Sequence, residues 1–311
     1  MSESNIAIEL KNVDKHFGAV HANSKVSLTV QSGTIHGIVG ENGAGKSTLM
    51  SILYGFYQAD SGQIKVFDKD FRATSSKQSI EAGIGMVHQH FMLVDNFTVL
   101  ENVILGSEGS ALITQSLEKA RIELTRLAKE YGLEVELDIA VEDLSVGMQQ
   151  RVEILKGLYK GAKVLILDEP TGVLTPQESD ELFRIFEALK KQGVTIILIT
   201  HKLREIMSIT DHVSVMRAGK MVAHLQTSET NPEELAELMI GRKVLLNINK
   251  TKAKNGKALL VANNLEIHNE QGLKRVTNVS FEACSGEILG IAGVTGNGQG
   301  TLLKALAGIL P

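Results

Sequence analysis

The chain has 311 residues, 43% hydrophobic and 22% charged, with a formal net charge of -4 at pH 7, one cysteine and no tryptophan. That length and apolar content support at least one domain of ordinary size with a real core. The lone Cys284 excludes an intramolecular disulfide framework and any multi-cysteine metal site, which fits a reducing cytosol and a packing role, and the acidic balance with 4% aromatics excludes a basic, base-stacking surface for nucleic acid.

Residues 6–30 alternate apolar and polar positions (IAIELKNV, then VSLTV), which predicts an antiparallel strand pair with one face on a core. Phe17 falls between the two runs, close enough in sequence to the next motif to stack on a nucleotide base; the plainer alternative is a core or turn phenylalanine. Ile35 to Val39 reads as a short buried strand, and Lys46 to Tyr54 as the opening of a helix. Between them Gly40, Glu41, Asn42, Gly43, Ala44, Gly45, Lys46, Ser47 and Thr48 fit the phosphate-cradling pattern G-x-x-x-x-G-K-[ST] without a mismatch. The glycines let successive N–H groups face phosphates with a helix N-terminus behind them. Lys46 then reaches the β- and γ-phosphates, and the Ser47 hydroxyl is placed to ligate Mg²⁺.

Residues 62–68 and 83–90 read as strand pieces, the second carrying Gln89 and His90 at its end; a glutamine there can touch both Mg²⁺ and an attacking water, or be a solvated loop residue. From about 91 to 160 the spacing turns helical, with Leu117, Ile122, Leu124 and Leu127 as its apolar positions, which predicts a helical insert. The apolar stretch 91–106 that opens it has the character of an interaction surface. Ser145 is an ordinary N-cap for the helix that follows, and the N–H groups after it, with Gly147, also suit an anion. Val164 to Leu167 reads as a buried strand running into Asp168 and Glu169, two carboxylates suited to holding a Mg²⁺ shell and to polarising the water that attacks the γ-phosphate. Val194 to Thr200 is a further buried strand, ending at His201. These apolar runs are too short to cross a bilayer, and the N-terminus lacks a signal-peptide pattern, so the chain is expected neither to span a membrane nor to be secreted.

In this order, the phosphate loop, Gln89, LSVGMQQR, VLILDEPT and His201 resemble the nucleotide-binding subunit of an ABC transporter over residues 5–242. The resemblance implies an α/β P-loop NTPase cassette with a RecA-like core, an antiparallel β subdomain and a helical insert. It implies ATP as the nucleotide, with Mg²⁺, and hydrolysis to ADP and phosphate. Phe17 would stack adenine, Lys46 and Ser47 would bind phosphates and Mg²⁺, and Gln89 would sense the γ-phosphate. Asp168 would act on the metal through water, Glu169 as base, and His201 would complete the site. Ser145 and Gly147 would contact ATP held by an opposing cassette. The signature LSVGM in place of LSGGQ, and Thr175 where an aspartate often stands, are similar to the simple-sugar and nucleoside importers, and LSVGMQQRVEILK looks more like the nucleoside ones than the ribose or galactose ones. The partners so implied are transmembrane permease subunits and, indirectly, a substrate-binding protein, with the chain peripheral on the cytoplasmic side of the membrane. A twin-cassette ATPase acting on ribosomes or DNA, and a switch that holds ATP without cleaving it, are the rival readings.

Residues 243–257 have linker composition. Beyond them Gly290, Ile291 and Gly293 repeat Gly37, Ile38 and Gly40 at an offset of 253 (293 − 40), which predicts two tandem cassettes. Gln299 stands where Lys46 does and Gly300 where Ser47 does, so the second loop is expected to be degenerate. Residues 258–311 are accordingly expected to be an incomplete second cassette whose exposed apolar segments associate, closed in a longer parent chain by the missing motifs.

Overall fold

The alternating and continuous apolar runs become two different kinds of sheet. A computed structural model of the protein describes residues 5–89, 91–106, 113–243, 256–268, 272–293 and 296–310, with the side chains of 113–116 left out. His90, most of the predicted linker, and Val294 and Thr295 of the second loop therefore lie outside the described residues. In chain order the elements are β1 (Ile6–Phe17), β2 (Val20–Gln31), β3 (Ile35–Val39), α1 (Lys46–Leu53), β4 (Ser61–Val66), β5 (Lys69–Asp70), α2 (Ser76–Glu81) and β6 (Ile84–Val87). They continue with α3 (Val99–Ile104), α4 (Ile113–Tyr131), α5 (Val146–Tyr159), β7 (Val164–Asp168), α6 (Pro176–Lys191), β8 (Thr195–Ile199), α7 (Leu203–Ile209), β9 (His212–Arg217) and β10 (Lys220–Gln226). Last come α8 (Pro232–Ile240), β11 (Ala258–His268), β12 (Lys274–Cys284) and α9 (Gln299–Leu306). The chain divides into two units, Met1–Val244 and Leu245–Pro311.

In the first unit β2, β1, β4 and β5 form an antiparallel sheet, as the alternation in 6–30 predicts, and β10-β9-β3-β8-β7-β6 form a second sheet. Its strands are parallel except for β10. Buried on both faces, β3, β7 and β8 have no exposed position, which is why they read as unbroken apolar runs. Alternate residues feed two cores. Leu165, Leu167, Ile196 and Leu198 face the helices of the insert together with α6, whereas Ile166, Ile197 and Ile199 face α1 and the antiparallel sheet.

Helix boundaries follow their caps. Thr98 with Glu101, and Thr175 with Glu178, each form a reciprocal capping box, and Pro176 opens α6 where its missing N–H costs nothing. In α4 the buried stripe is Ala120, Leu124, Leu127 and Ala128, with Leu117 partly buried, while Ile122 is 71% exposed. The expectation that Ile122 joins the apolar face is thus corrected: at 3.6 residues per turn it falls two residues from both 120 and 124 and points away from them. The stretch 91–106 is corrected in part as well, since Val99, Leu100 and Val103 are spent on the core and Met92 and Leu105 remain exposed. Two strand ends also come earlier than predicted. The run 62–68 stops at Val66 because Phe67 and Asp68 turn with positive φ, and the run 83–90 pairs with β7 only as far as Val87.

The second unit is a hairpin, β11 with β12, and one helix, packed on Ile267, Val276 and Leu302. Cys284 is half-buried at the end of β12. Residues 288–292 form no strand, and Ile288 is 91% exposed.

Candidate active site

The carboxyl ends of β3, β7 and β8 lie side by side, and the polar residues that follow each strand meet there. This end of an open parallel sheet is where ligands of α/β proteins bind. After β3 the loop closes through Gly45, whose φ is +98°; a Cβ there would sit 2.3 Å from the Ala22 carbonyl oxygen, so only glycine fits. Asn23 of β2 donates from Nδ2 to the Gly45 carbonyl at 3.1 Å, and the Gly219 N–H donates to the Ala44 carbonyl at 3.1 Å. Asn42 and Gly43 lie exposed at the crest of the loop, while Ala44 is buried beneath it.

Lys46, 6% exposed, donates from Nζ to the carbonyls of Gly40 at 2.8 Å and Glu41 at 3.0 Å. Burial pushes its pKa down, and the carboxylates of Glu169 and Asp168 pull it back up. Ser47, the next residue of α1, hydrogen-bonds the Asp168 carboxylate. Burial is the main cause of a raised Asp168 pKa, with the Glu169 charge adding to it and Ser47 and Lys46 opposing it. Thr48 follows on the half-buried side of the helix.

Glu169 adopts φ +48°, a left-handed conformation that a non-glycine residue takes at a cost. Its N–H donates to the Ile199 carbonyl at 2.9 Å, and its Oε1 lies 2.8 Å from Nδ1 of His201. The turn thus carries the carboxylate off β7 onto the histidine that follows β8. Lys46, Ser47, Asp168, Glu169 and His201 form one connected cluster of an ammonium, a hydroxyl, two carboxylates and an imidazole.

Phe17, 42% exposed, ends β1 with its ring edge-on to that of Tyr57 at 5.0 Å and 5.4 Å from Lys15 Nζ. Gln89 lies exposed just past β6 and, among the described residues, forms no hydrogen bond with the cluster. Ser145 caps α5, accepting from the Met148 N–H at 3.4 Å, and Gly147 lies beside Glu178 of α6. They line a separate cleft with Arg151 and Leu174, so the structure does not join them to Lys46.

Three features escaped the sequence. Asn23 has no motif, and its contact with Gly45 depends on the strand pairing. His88 stacks on Phe56 at 5.5 Å and meets Tyr54 edge-on at 5.9 Å, close enough to Asp168 to feel its charge. Glu205, 8% exposed, takes hydrogen bonds from Thr171 and Thr200. No spacing rule marks any of them.

Residues 23–172 match the family model described as "ABC transporter". The chain is 47% identical over 302 residues to the nucleoside import ATP-binding protein NupA of Lactococcus lactis subsp. cremoris, a match covering 97% of this chain and 60% of that protein. It is 40% identical over 303 residues to the ribose import ATP-binding protein RbsA of Clostridium tetani, covering 97% of this chain and 59% of that one. The chain therefore spans about 60% of the length of such curated relatives. A solved nucleotide-free ATP-binding cassette from an ABC transporter superposes with a TM-score of 0.66 at 26% identity, over 75% of this chain and 98% of that one. The fold, the cluster at the strand ends and these likenesses agree: the chain has the fold of an ATP-binding cassette and is similar to the ATP-binding proteins of nucleoside and sugar import.

Proposed function

We propose that the chain hydrolyses ATP to drive import of nucleosides through separate membrane permease subunits. The observation that carries this reading is the Glu169–His201 pair held beside Lys46, Ser47 and Asp168 at the ends of three adjacent strands. In this reading Phe17 stacks on adenine, and the loop N–H groups of 40–48 with Lys46 hold the phosphates. Lys46 exchanges its two carbonyl partners for phosphate oxygens. Glu169 takes a proton from water as the water oxygen bonds the γ-phosphorus; the bond to the bridging oxygen breaks, giving ADP and phosphate. His201 orients Glu169 through Nδ1.

The Ser47 hydroxyl and the buried Asp168 carboxylate are hard oxygen donors in contact, a set that fits Mg²⁺. Ser47 would hold it directly, Gln89 would join it, and Asp168 would act through water; the ion neutralises charge on the β- and γ-phosphates when bound. Among the described residues no cluster of three His, Cys, Asp or Glu can hold a metal, so this site depends on the nucleotide for further ligands.

Ser145 and Gly147 serve the ATP of an opposing cassette, which explains their distance from Lys46. Geometry shared by the two units supports a tandem arrangement. Asn12 donates its N–H to Ser27 Oγ at 3.0 Å, and Asn264 to Ser280 Oγ at 2.9 Å. Gly45 and Gly298 are both left-handed and press on the carbonyls of Ala22 and Arg275. The partner of the first cassette is then a second one begun in residues 258–311, with 243–257 as linker. Among the described residues no helix is long and apolar enough to cross a membrane; the peripheral place on the cytoplasmic side of permease subunits belongs to this reading. The half-apolar cleft lined by Tyr54, Phe56, Met92, Glu153 and Lys156 is the surface assigned to them, with a substrate-binding protein acting indirectly.

The test is Glu169→Gln in the full-length protein. Turnover falls by roughly 10²–10⁴-fold with ATP binding retained, and uptake of labelled nucleosides is lost in cells carrying the variant. Loss of ribose or galactose uptake instead would keep the mechanism and move the substrate to the sugar reading, which the ribose relative favours. Unchanged turnover would sink both.

A further inference from the structure

The Glu169–His201 contact depends on two loops that leave different strands. The last ladder bond between them runs from the Glu169 N–H to the Ile199 carbonyl. Past it, the turn Glu169–Gly172 and the segment Thr200–Lys202 are joined by Lys202 itself and by one buried carboxylate, Glu205, in the first turn of α7. Thr171 Oγ1 donates to Glu205 Oε1, and Thr200 Oγ1 donates to Oε2 at 3.0 Å. Lys202 Nζ lies 3.2 Å from Oε1 and also donates to the Thr171 carbonyl at 2.9 Å and its hydroxyl at 3.1 Å. The Lys202 N–H donates to Thr200 Oγ1 at 3.1 Å, closing the network.

Each partner of Glu205 is next to, or two residues from, one of the two groups that must meet. Thr171 follows Glu169 by two positions, and Thr200 and Lys202 flank His201. A left-handed glutamate persists only where its surroundings over-determine it, and the Gly172 N–H on the Glu169 carbonyl at 3.1 Å fixes only the turn itself. Glu205 fixes that turn against the histidine segment. A buried carboxylate with partners on both oxygens is also intolerant of losing one.

We infer that Glu205 is a positioning residue for hydrolysis: acting with Thr171, it clamps the Glu169 turn to the His201 segment and touches neither water nor nucleotide. The inference rests on Glu169 being the base. The experiment compares Thr171→Val, Thr171→Ser and Glu205→Ala in the full-length protein, with Glu169→Gln in parallel, by ATP turnover and thermal unfolding. Thr171→Val keeps the side-chain shape and removes the hydroxyl. Its kcat falls by up to about 10²-fold, the scale of a misplacement near 1 Å, while KM for ATP stays within about twofold. Thr171→Ser restores turnover. Glu205→Ala falls at least as far, and should it fail to fold, the two Thr171 variants decide the matter alone. Turnover of Thr171→Val within about twofold of the parent, a rise in KM in place of a fall in kcat, or a Thr171→Ser as slow as Thr171→Val overturns the clamp. If Glu169→Gln abolishes turnover in that same experiment, only the clamp has failed; if Glu169→Gln turns over normally, the base assignment falls and the clamp with it.

Discussion

Two loops of closely related sequence, 40–48 and 293–301, share a backbone device and differ in what they can do. Gly45 and Gly298 open their helices with φ of +98° and +91°, each against a carbonyl of the neighbouring hairpin. The turn is therefore written locally, by a glycine and a hairpin. In the first loop Lys46 is buried and aimed at the loop carbonyls. In the second Gln299 crosses the loop, its amide where a Cβ on Gly293 would stand, and Gly300 has no hydroxyl. The strands before the loops differ too. β3 is flanked by β8 and β9, whereas residues 288–292 pair with nothing among the described residues and stay exposed. A turn needs only its neighbours in sequence; a buried parallel strand needs partners from elsewhere in the chain, and phosphate chemistry needs the ammonium.

The sharpest way to break this contrast is to make the first loop like the second. Lys46→Gln is expected to cut ATP turnover by about 10²–10³-fold, the cost of removing one donor aimed at developing charge, while Gln299→Ala leaves it within about twofold. Steady-state ATPase assays on the full-length protein separate the two, and equal losses would end the asymmetry. A smaller effect tests the shared device. Gly45→Ala forces a methyl onto the Ala22 carbonyl in a left-handed residue, and should destabilise the first unit by on the order of 3 kcal/mol in denaturant melts.

The smallest effect concerns acid. His36, in the middle of β3, is 4% exposed; its Nε2 is 2.7 Å from Ser214 Oγ, which in turn is 2.8 Å from His224 Nδ1. Its ring is stacked with that of His212 at 6.1 Å, and burial, with the charges of His212 and His224, lowers its pKa to about 3. Because the folded pKa lies below the unfolded one, the unfolded chain takes up a proton first as pH drops. The contribution of His36 to stability is thus unchanged above about pH 6.5 and falls by roughly 1 kcal/mol per pH unit from there toward pH 3. At the offset of the repeat, Leu289 stands where His36 does, so the second unit lacks this sensitivity. Urea melts at pH 7 and pH 5 should show the loss, and His36→Gln should reduce it, leaving the share of His88 and His224, whose pKa burial also lowers.

The residues that sequence made legible are those whose requirement is local. The phosphate-loop pattern, the buried strands and the Ser145 cap each depend on neighbours within a few positions, so composition and spacing suffice. Asp168, Glu169 and His201 were legible because each ends a strand that the pattern already marks. Glu205, Asn23 and His88 were not, because their partners lie on other elements and only the sheet order brings them together. Ile122 misled because an isoleucine near an apolar stripe fits the spacing loosely, and only the buried Ala120, Leu124 and Ala128 fix the phase of α4. Gln89 was legible as a strand end, but its side chain is not committed to the cluster by the fold alone.

The order of strands in the main sheet has a consequence for synthesis. β3 leads into the loop 40–48, yet it pairs only with β8, at residues 196–199, and β9, at residues 212–215. A ribosome that has released Lys46 has not yet made either flank. At roughly 5–20 residues per second, on the order of ten seconds or more pass before both are available. During that interval the nascent loop has its glycines and its lysine but no sheet to hold them, so on the proposed function nucleotide is expected to add to stability only after β9 has emerged.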